Sequence, residues 1–383
     1  MILRPYGVVL RGRLELGLEV EVVDGVVVSI GPQTGMPDPY VLSPAFVNAH
    51  SHLEYRGMLG LIDEPEYVGW IRAITRMKTS QTVEEVVADC ILAAEENVAC
   101  GVAFVAEHSD RPGAAAAINA AGLDGIVFQE VITFMEADGP AERLARSEER
   151  RAAAAELVDQ AYLNPHAPHT VDGATFGQLA GYGKPLSIHV AETVHERTFW
   201  EDDAGPLAEV YRANSIPRPY RGRLLDYLAA QGALRPGVQL VHFCDADPAD
   251  IAQAAAAGVG VAHCPRSNER LQCPRAPVRE MLDAGILVGL GLDSAASSGP
   301  VDMFAEMRAA LEVSFRRSQP LTAEEVWDMA TTMGARSLGL ADWEIKPGSK
   351  VPLVALDLAG CLTTDDMLDR GGPESVLWQT ASG

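Results

Sequence analysis

Lysine is scarce in this chain: Lys78, Lys184, Lys346 and Lys350 are the only four among 383 residues. Thirty basic residues face 53 acidic ones, for a formal net charge of -23. Such an excess of negative charge repels nucleic-acid phosphates and anionic lipid surfaces, so neither is expected as a partner. No uninterrupted apolar run reaches the roughly 20 residues needed to span a bilayer. The opening residues Met1-Ile2-Leu3-Arg4-Pro5-Tyr6 lack a signal-peptide pattern. The six cysteines contain no Cys-x-x-Cys pair, so a zinc-thiolate or disulfide framework is excluded and buried free thiols are expected. Together these absences point to a cytoplasmic location. No glycine-rich fingerprint follows the first strand-like run, which argues against a dinucleotide-binding sheet.

What the chain does contain is a large apolar fraction: 48% hydrophobic against 22% charged residues, enough for a sizeable core. The first 43 residues alternate in short strand-like runs, with Asp24-Gly25 as a hairpin turn signal. From about residue 44 the pattern changes. Apolar runs near Phe46, Val102, Gly125, Ala161, Leu186, Gln239, Val259 and Leu287 alternate with alanine-rich helical segments. Eight such strands predict a (β/α)8 barrel over residues 44–343. Thr322 and Glu325 predict a capping box at a helix start. After residue 343 the chain is strand-like again. The segments 1–43 and 344–383 are therefore expected to pair into a small β-sandwich beside the barrel. Residues 201–222, with Gly205-Pro206 and Ile216-Pro217-Arg218-Pro219, are expected to form a long loop able to cover a pocket.

Barrel enzymes carry their chemistry at the C-terminal ends of the strands. Seven of the nine histidines fall there. Strand 1 ends in His50-Ser51-His52, and strand alternation points both imidazoles the same way. Strand 4 runs into His166 and His169, strand 5 ends in His189-Val190-Ala191-Glu192, strand 6 in His242, strand 7 in His263 and strand 8 in Asp293. Three neutral imidazoles and one carboxylate suit one divalent metal ion, so His50, His52, His189 and Asp293 are the expected ligands. Zinc is the expected ion, and ferrous iron accepts the same set. A bound metal lowers the pKa of water from 15.7 toward about 7. Asp293 and His242 are the candidate bases, and Glu192 is placed for general acid–base transfer. His108 and His195 read as satisfied or surface histidines.

These residues resemble the amidohydrolase superfamily over nearly the whole chain. Pro44 to His52 is similar to its strand-1 metal motif, and His189-x-x-Glu192 to its strand-5 histidine and proton-shuttle glutamate. His242 and Leu292-Asp293-Ser294 are similar to its strand-6 and strand-8 motifs. Binuclear members bridge two metals with a carboxylated lysine, usually at the end of strand 4. Here that strand ends in Asn164-Pro165-His166 with no lysine near, so the resemblance implies a single metal and a hydrolytic deaminase or chlorohydrolase. His166 matches a strand-4 substrate residue of that arm, whereas His169 stands where a tyrosine is usual.

His50-Ser51-His52-Leu53-Glu54 together with Cys264-Pro265-Arg266-Ser267-Asn268 further resembles the aminodeoxyfutalosine deaminases of menaquinone synthesis. That likeness implies a small-molecule aminopurine nucleoside as substrate, with Glu54, His166, Arg266, Asn268 and Ser294 as substrate-binding candidates. Arg266, Arg72 or Arg56 would pair with its benzoate. S-adenosylhomocysteine, adenosine, guanine, cytosine and triazines are the alternative substrates within the arm. Barrels of this kind often associate as homodimers.

Overall fold

The computed structural model describes residues 1–135, 138–341 and 343–380. Residues 136, 137 and 342 of the expected barrel segment, and 381–383 of the expected sandwich segment, lie outside the described residues. Eight parallel strands form the barrel: β1 Phe46–Ser51, β2 Val102–Ser109, β3 Asp124–Val131, β4 Gln160–Pro165, β5 Leu186–Val190, β6 Val238–His242, β7 Gly260–His263 and β8 Val288–Leu290. Each overlaps one of the apolar runs read from sequence. They are buried on both faces, as expected of parallel strands covered by helices.

The ladders form two four-stranded sheets, β1 to β4 and β5 to β8. Buried asparagines bridge both remaining seams. Asn164 on β4 accepts a hydrogen bond from the Ser187 amide of β5 at 2.8 Å. Asn48 on β1 accepts one from the Leu292 amide, just beyond β8, at 2.9 Å. The amide of Asp293 also donates to the carbonyl of His50 at 2.9 Å, and that of His52 to the carbonyl of Asp293 at 3.1 Å. Truncating Asn48 leaves a buried N–H without an acceptor, which costs about 1–3 kcal/mol. Asn48→Ala is therefore expected to lower the unfolding free energy by that amount, read as a lower urea midpoint with an unchanged m-value.

Strands from both chain ends build the flanking sheets. A five-stranded sheet runs Val376–Gln379, Leu353–Leu356, Asp38–Pro44, Pro5–Leu10, Arg13–Leu16. A three-stranded sheet holds Ile2–Leu3, Leu18–Val23 and Val26–Pro32. Asp24 and Gly25 both take positive φ, as a two-residue type I′ hairpin demands. Two tryptophans pin the junction with the barrel. The Trp327 indole donates to Ser43 Oγ at 3.0 Å and that of Trp343 to the Ala45 carbonyl at 2.8 Å. The capping box expected at Thr322 and Glu325 is present at the start of helix Ala323–Met329.

Two helices follow β1: α1, Tyr67–Ser80, and α2, Val83–Ala99. α1 lies against the strand ends, its Trp70 indole donating to the Ala296 carbonyl at 3.4 Å and its Lys78 to both Asp110 oxygens at 3.0 Å. Residues 201–222 are not the expected long loop. They include a helix, Gly205–Ala213, begun by proline in its first turn. Tyr211 ties that helix down by donating to the His169 carbonyl at 2.7 Å.

Candidate active site

The alternation of β1 sends His50 and His52 to the same end of the barrel, with ring centres 4.9 Å apart. His189 closes on both, at 4.9 and 5.5 Å. Asp293 Oδ1 lies 3.6 Å from His50 Nε2 and 3.9 Å from His52 Nε2. Donor atoms of a tetrahedral site with bonds of 2.0–2.1 Å stand about 3.4 Å apart, so these separations fit one ion. Two overlapping groups gather donors within 4.8 Å: His50, His52, Asp293 and His50, His189, His242. His50 Nε2, common to both, is buried with no hydrogen-bond partner among the described residues. A buried polar atom left in that state is explained by a ligand that it faces. Burial holds His189 well below its ordinary value and brings His52 and His242 down to about 3, so these imidazoles are neutral and able to ligate.

The outer atom of each of these side chains is also held, as is usual around metal ligands. His52 Nδ1 faces the His108 carbonyl at 2.8 Å, and His189 Nδ1 faces that of His166 at 3.0 Å. Asp293 Oδ2 accepts from Ser267 Oγ at 2.6 Å and Ser297 Oγ at 3.2 Å, which leaves Oδ1 free to point inward. A third group, Glu130, His166 and His189, also brings donors together. It competes for the same His189 nitrogen that already faces the His166 carbonyl. The single-ion arrangement therefore suits the donors better.

Glu192 projects from the turn after β5 with its carboxylate 3.6 Å from His242 Nε2. Glu196 holds that turn by accepting the amides of Ala191 at 3.0 Å and Glu192 at 2.8 Å. Burial first, then the charges of Asp293 and Glu196, push the Glu192 carboxyl well above its usual range, against an opposing hydrogen bond from Tyr67 of α1. A carboxyl raised in this way favours its protonated form and can give the proton up to a substrate. Burial opposes ionisation of Asp293, but electrostatic attraction to the surrounding imidazoles, His50 first, holds it far below the carboxylate range. The two acids are thus driven apart, the pattern that separates a proton donor from a base.

Non-glycine residues in the left-handed region mark these same strand ends: Ala191, His242, Phe243 and Asp293 have φ of 51°, 69°, 47° and 53°. Such backbone is unfavourable for residues with a Cβ and gathers where side chains must be aimed.

The structure distributes the substrate-binding candidates unevenly. His166 stacks on His189 at 4.6 Å, its Nδ1 held 2.9 Å from Thr170 Oγ1. Glu54 is fully buried and accepts from Ser109 Oγ at 2.6 Å, beside Arg111 at 3.7 Å. Asn268 sits behind His242, its amide nitrogen 3.0 Å from Nδ1, and so orients a catalytic candidate. Ser294 Oγ lies 2.9 Å from Ser297 Oγ, which in turn donates to Asp293. Arg266 turns away: it donates to the Pro300 carbonyl at 3.0 Å, lies 3.7 Å from Glu306, and lines an outer groove. Arg56 is clamped to both Glu96 oxygens at 2.6 Å, and Arg72 is exposed on α1. Of these three arginines only Arg56 shares a cavity lining with His52 and Asp293. The cation whose charge bears on His52 and His166 is Lys78.

His263 belongs to neither of the histidine groups, and both its ring nitrogens are buried without a partner among the described residues. Burial lowers it to about 3. Unfolded, a histidine titrates near 6.5, so between pH 6.5 and 3 the unfolded chain binds the extra proton and stability falls with pH. One such group contributes up to about 1.4 kcal/mol per pH unit in that window. His263→Leu is expected to lose less stability between pH 6.5 and 5 than the parent, compared by urea unfolding; equal slopes count against it.

Among the described residues no helix is long and apolar enough to cross a membrane. Histidines and an aspartate at the strand ends of a (β/α)8 barrel, with a buried carboxyl beside them, define a metal-dependent hydrolase. The amidohydrolase family profile matches residues 41–374, and the chain belongs to that family. It is 30% identical to the 5-methylthioadenosine/S-adenosylhomocysteine deaminase of Pelotomaculum thermopropionicum over 362 residues, covering 88% of this chain and 80% of that one. A protein of the same description from Natronomonas pharaonis is 30% identical over 343 residues, covering 86% and 75%. A zinc-bound adenosine deaminase from Xanthomonas campestris superimposes with a TM-score of 0.84 at 25% identity, covering 100% of this chain and 91% of that one. Helicobacter pylori aminofutalosine deaminase bound to methylthio-coformycin has the same fold, with a TM-score of 0.84 at 20% identity and coverage of 100% and 98%. The chain is accordingly a hydrolytic deaminase whose site takes a divalent metal ion.

Proposed function

We propose that the substrate is an aminopurine nucleoside, 6-amino-6-deoxyfutalosine, converted to futalosine and ammonia. The observation that carries the deaminase reading is the meeting of Glu192, His242 and Asp293 around the His50–His52–His189 cluster. The pairing of His50-Ser51-His52-Leu53-Glu54 with Cys264-Pro265-Arg266-Ser267-Asn268 supports the particular nucleoside.

His50, His52, His189 and Asp293 would hold the ion, which we take to be zinc. When bound, it activates water at neutral pH and polarises what it touches. The protein's own groups then do the rest. Asp293 and His242 orient the attacking water and accept its proton. Glu192, buried and with its carboxyl pushed toward the protonated form, delivers a proton to N1 of the purine ring as C6 becomes tetrahedral. The proton taken from water passes to the exocyclic nitrogen, which leaves as ammonia, and the C6 hydroxyl returns its proton to Glu192 as the carbonyl forms. His166, stacked beside His189, and the buried Glu54 position base and sugar. Packing of α1 over the strand ends excludes bulk water, which strengthens each electrostatic contact.

The curated relatives favour a second reading, deamination of S-adenosylhomocysteine or methylthioadenosine. A panel of aminodeoxyfutalosine, S-adenosylhomocysteine, methylthioadenosine, adenosine and guanine, followed by ammonia release, separates the two. Aminodeoxyfutalosine is expected to have the highest kcat/KM by at least tenfold; an equal or higher value for S-adenosylhomocysteine reverses the assignment.

A further inference from the structure

We propose that His108, which donates nothing to the metal group, sets the tautomer and orientation of both strand-1 histidines and thereby governs how tightly the site holds its ion. The proposal rests on the reading of His50 and His52 as ligands. His108 lies on β2, fully buried, with its ring 4.3 Å from that of His50 and stacked on Phe128 at 5.0 Å. Its Nδ1 is 3.1 Å from His50 Nδ1, and its carbonyl oxygen is 2.8 Å from His52 Nδ1. One residue therefore meets the outer nitrogen of both imidazoles in the His-x-His pair.

Two facing ring nitrogens can hydrogen-bond only if one carries the proton and the other a lone pair. His50 presents Nε2 to Asp293, so for Nε2 to ligate, the His50 proton must sit on Nδ1. His50 then donates and His108 Nδ1 accepts, which places the His108 proton on its own Nε2. The opposite arrangement is also available locally. The Ala106 carbonyl lies 3.3 Å from His108 Nδ1 and, as a second, longer acceptor, would help keep a proton on that nitrogen. In that arrangement His108 donates to His50, the His50 proton moves to Nε2, and the ligating lone pair is lost. His108 thus stands between a binding-competent and a binding-incompetent tautomer of His50. Its packing against Phe128 keeps the ring in place, while its backbone carbonyl fixes His52 whatever the side chain is.

The test measures Zn2+ dissociation constants by competition with a chromogenic chelator, and the visible absorption of the Co2+-substituted protein, for parent, His108→Leu and His108→Asn. Loss of an outer partner of a metal-bound histidine typically weakens binding about 10–100-fold. His108→Leu is expected to fall in that range and to alter the Co2+ bands. His108→Asn, whose Oδ1 can accept from His50, is expected to recover most of the affinity. Wild-type Zn2+ affinity in a folded His108→Leu protein overturns the proposal. So does equal weakening in both folded variants, which would mean packing and not the acceptor matters. His108→Met replaces the leucine variant if that protein fails to fold. His50→Ala and Asp293→Ala test the ligand reading separately: wild-type affinity in either defeats that reading, whatever the His108 variants do.

Discussion

Glu192→Gln is expected to lower kcat roughly 100- to 10,000-fold, the usual worth of a positioned general acid–base. Its metal content should not change. Glu192 is absent from the metal-binding groups, which draw their donors from His50, His52, His189, His242, Asp293, Glu130 and His166. Glutamine keeps the shape and the contact with Tyr67 but cannot give up a proton and take it back. The raised carboxyl gives the variant a second signature. In the parent, the protonated donor is lost as pH rises through its elevated value, so kcat should fall on the alkaline side. In Glu192→Gln that limb should disappear and leave a flat residual rate. Steady-state rates across pH, with metal analysis of the same samples, check both. A variant retaining more than a tenth of parental kcat would move the proton transfer to another group.

Much of this site was readable because its parts obey local rules. Eight apolar runs gave eight strands, and position at a strand end is what made His50, His52, His189, Glu192, His242 and Asp293 stand out. The residues that escaped, or that gain a contact the sequence does not show, owe it to packing between distant segments. His108 resembles any core histidine until β2 is laid beside β1. Ser267 supports Asp293 across 26 positions, and Tyr67 reaches Glu192 only through the docking of α1. Asn268, a substrate-binding candidate from sequence, also backs His242, because helix Pro265–Arg270 carries its amide nitrogen to the His242 ring. Arg266 stands two positions earlier on the same helix and lines the outer groove. A helical turn separates adjacent side chains by about 100°, so a motif on a helix cannot send all its members into one pocket. Helix Gly205–Ala213 did carry a local signal that composition masked: proline in the first turn favours a helix start as much as a loop.

Asp293→Asn is expected to cost more than Glu192→Gln, because the role proposed for Asp293 is double, ligand and base. Its carboxylate is split by geometry. Ser267 and Ser297 occupy Oδ2, while Oδ1 faces His50 and His52. Asparagine keeps both oxygen-sized positions and tolerates φ of 53° better than most residues, so the seam between β8 and β1 should survive. The charge is lost, and one of the two positions becomes an NH2 group that can neither accept from the serines nor ligate. Without the charge the ion is held by neutral imidazoles, and the water loses the group that accepts its proton. A fall in kcat/KM on the order of 1,000-fold or more follows if the two losses combine. Zn2+ affinity should drop in the same protein, while the unfolding free energy of the metal-free variant, from urea titration, stays within about 1–2 kcal/mol of the parent. Saturating zinc distinguishes the roles. It restores occupancy but not the base, so activity should recover only in part. Full recovery at high zinc would reduce Asp293 to a ligand and leave His242 as the proton acceptor. Asn268, 3.0 Å from the His242 Nδ1, would then be the residue that sets the competent tautomer of that base.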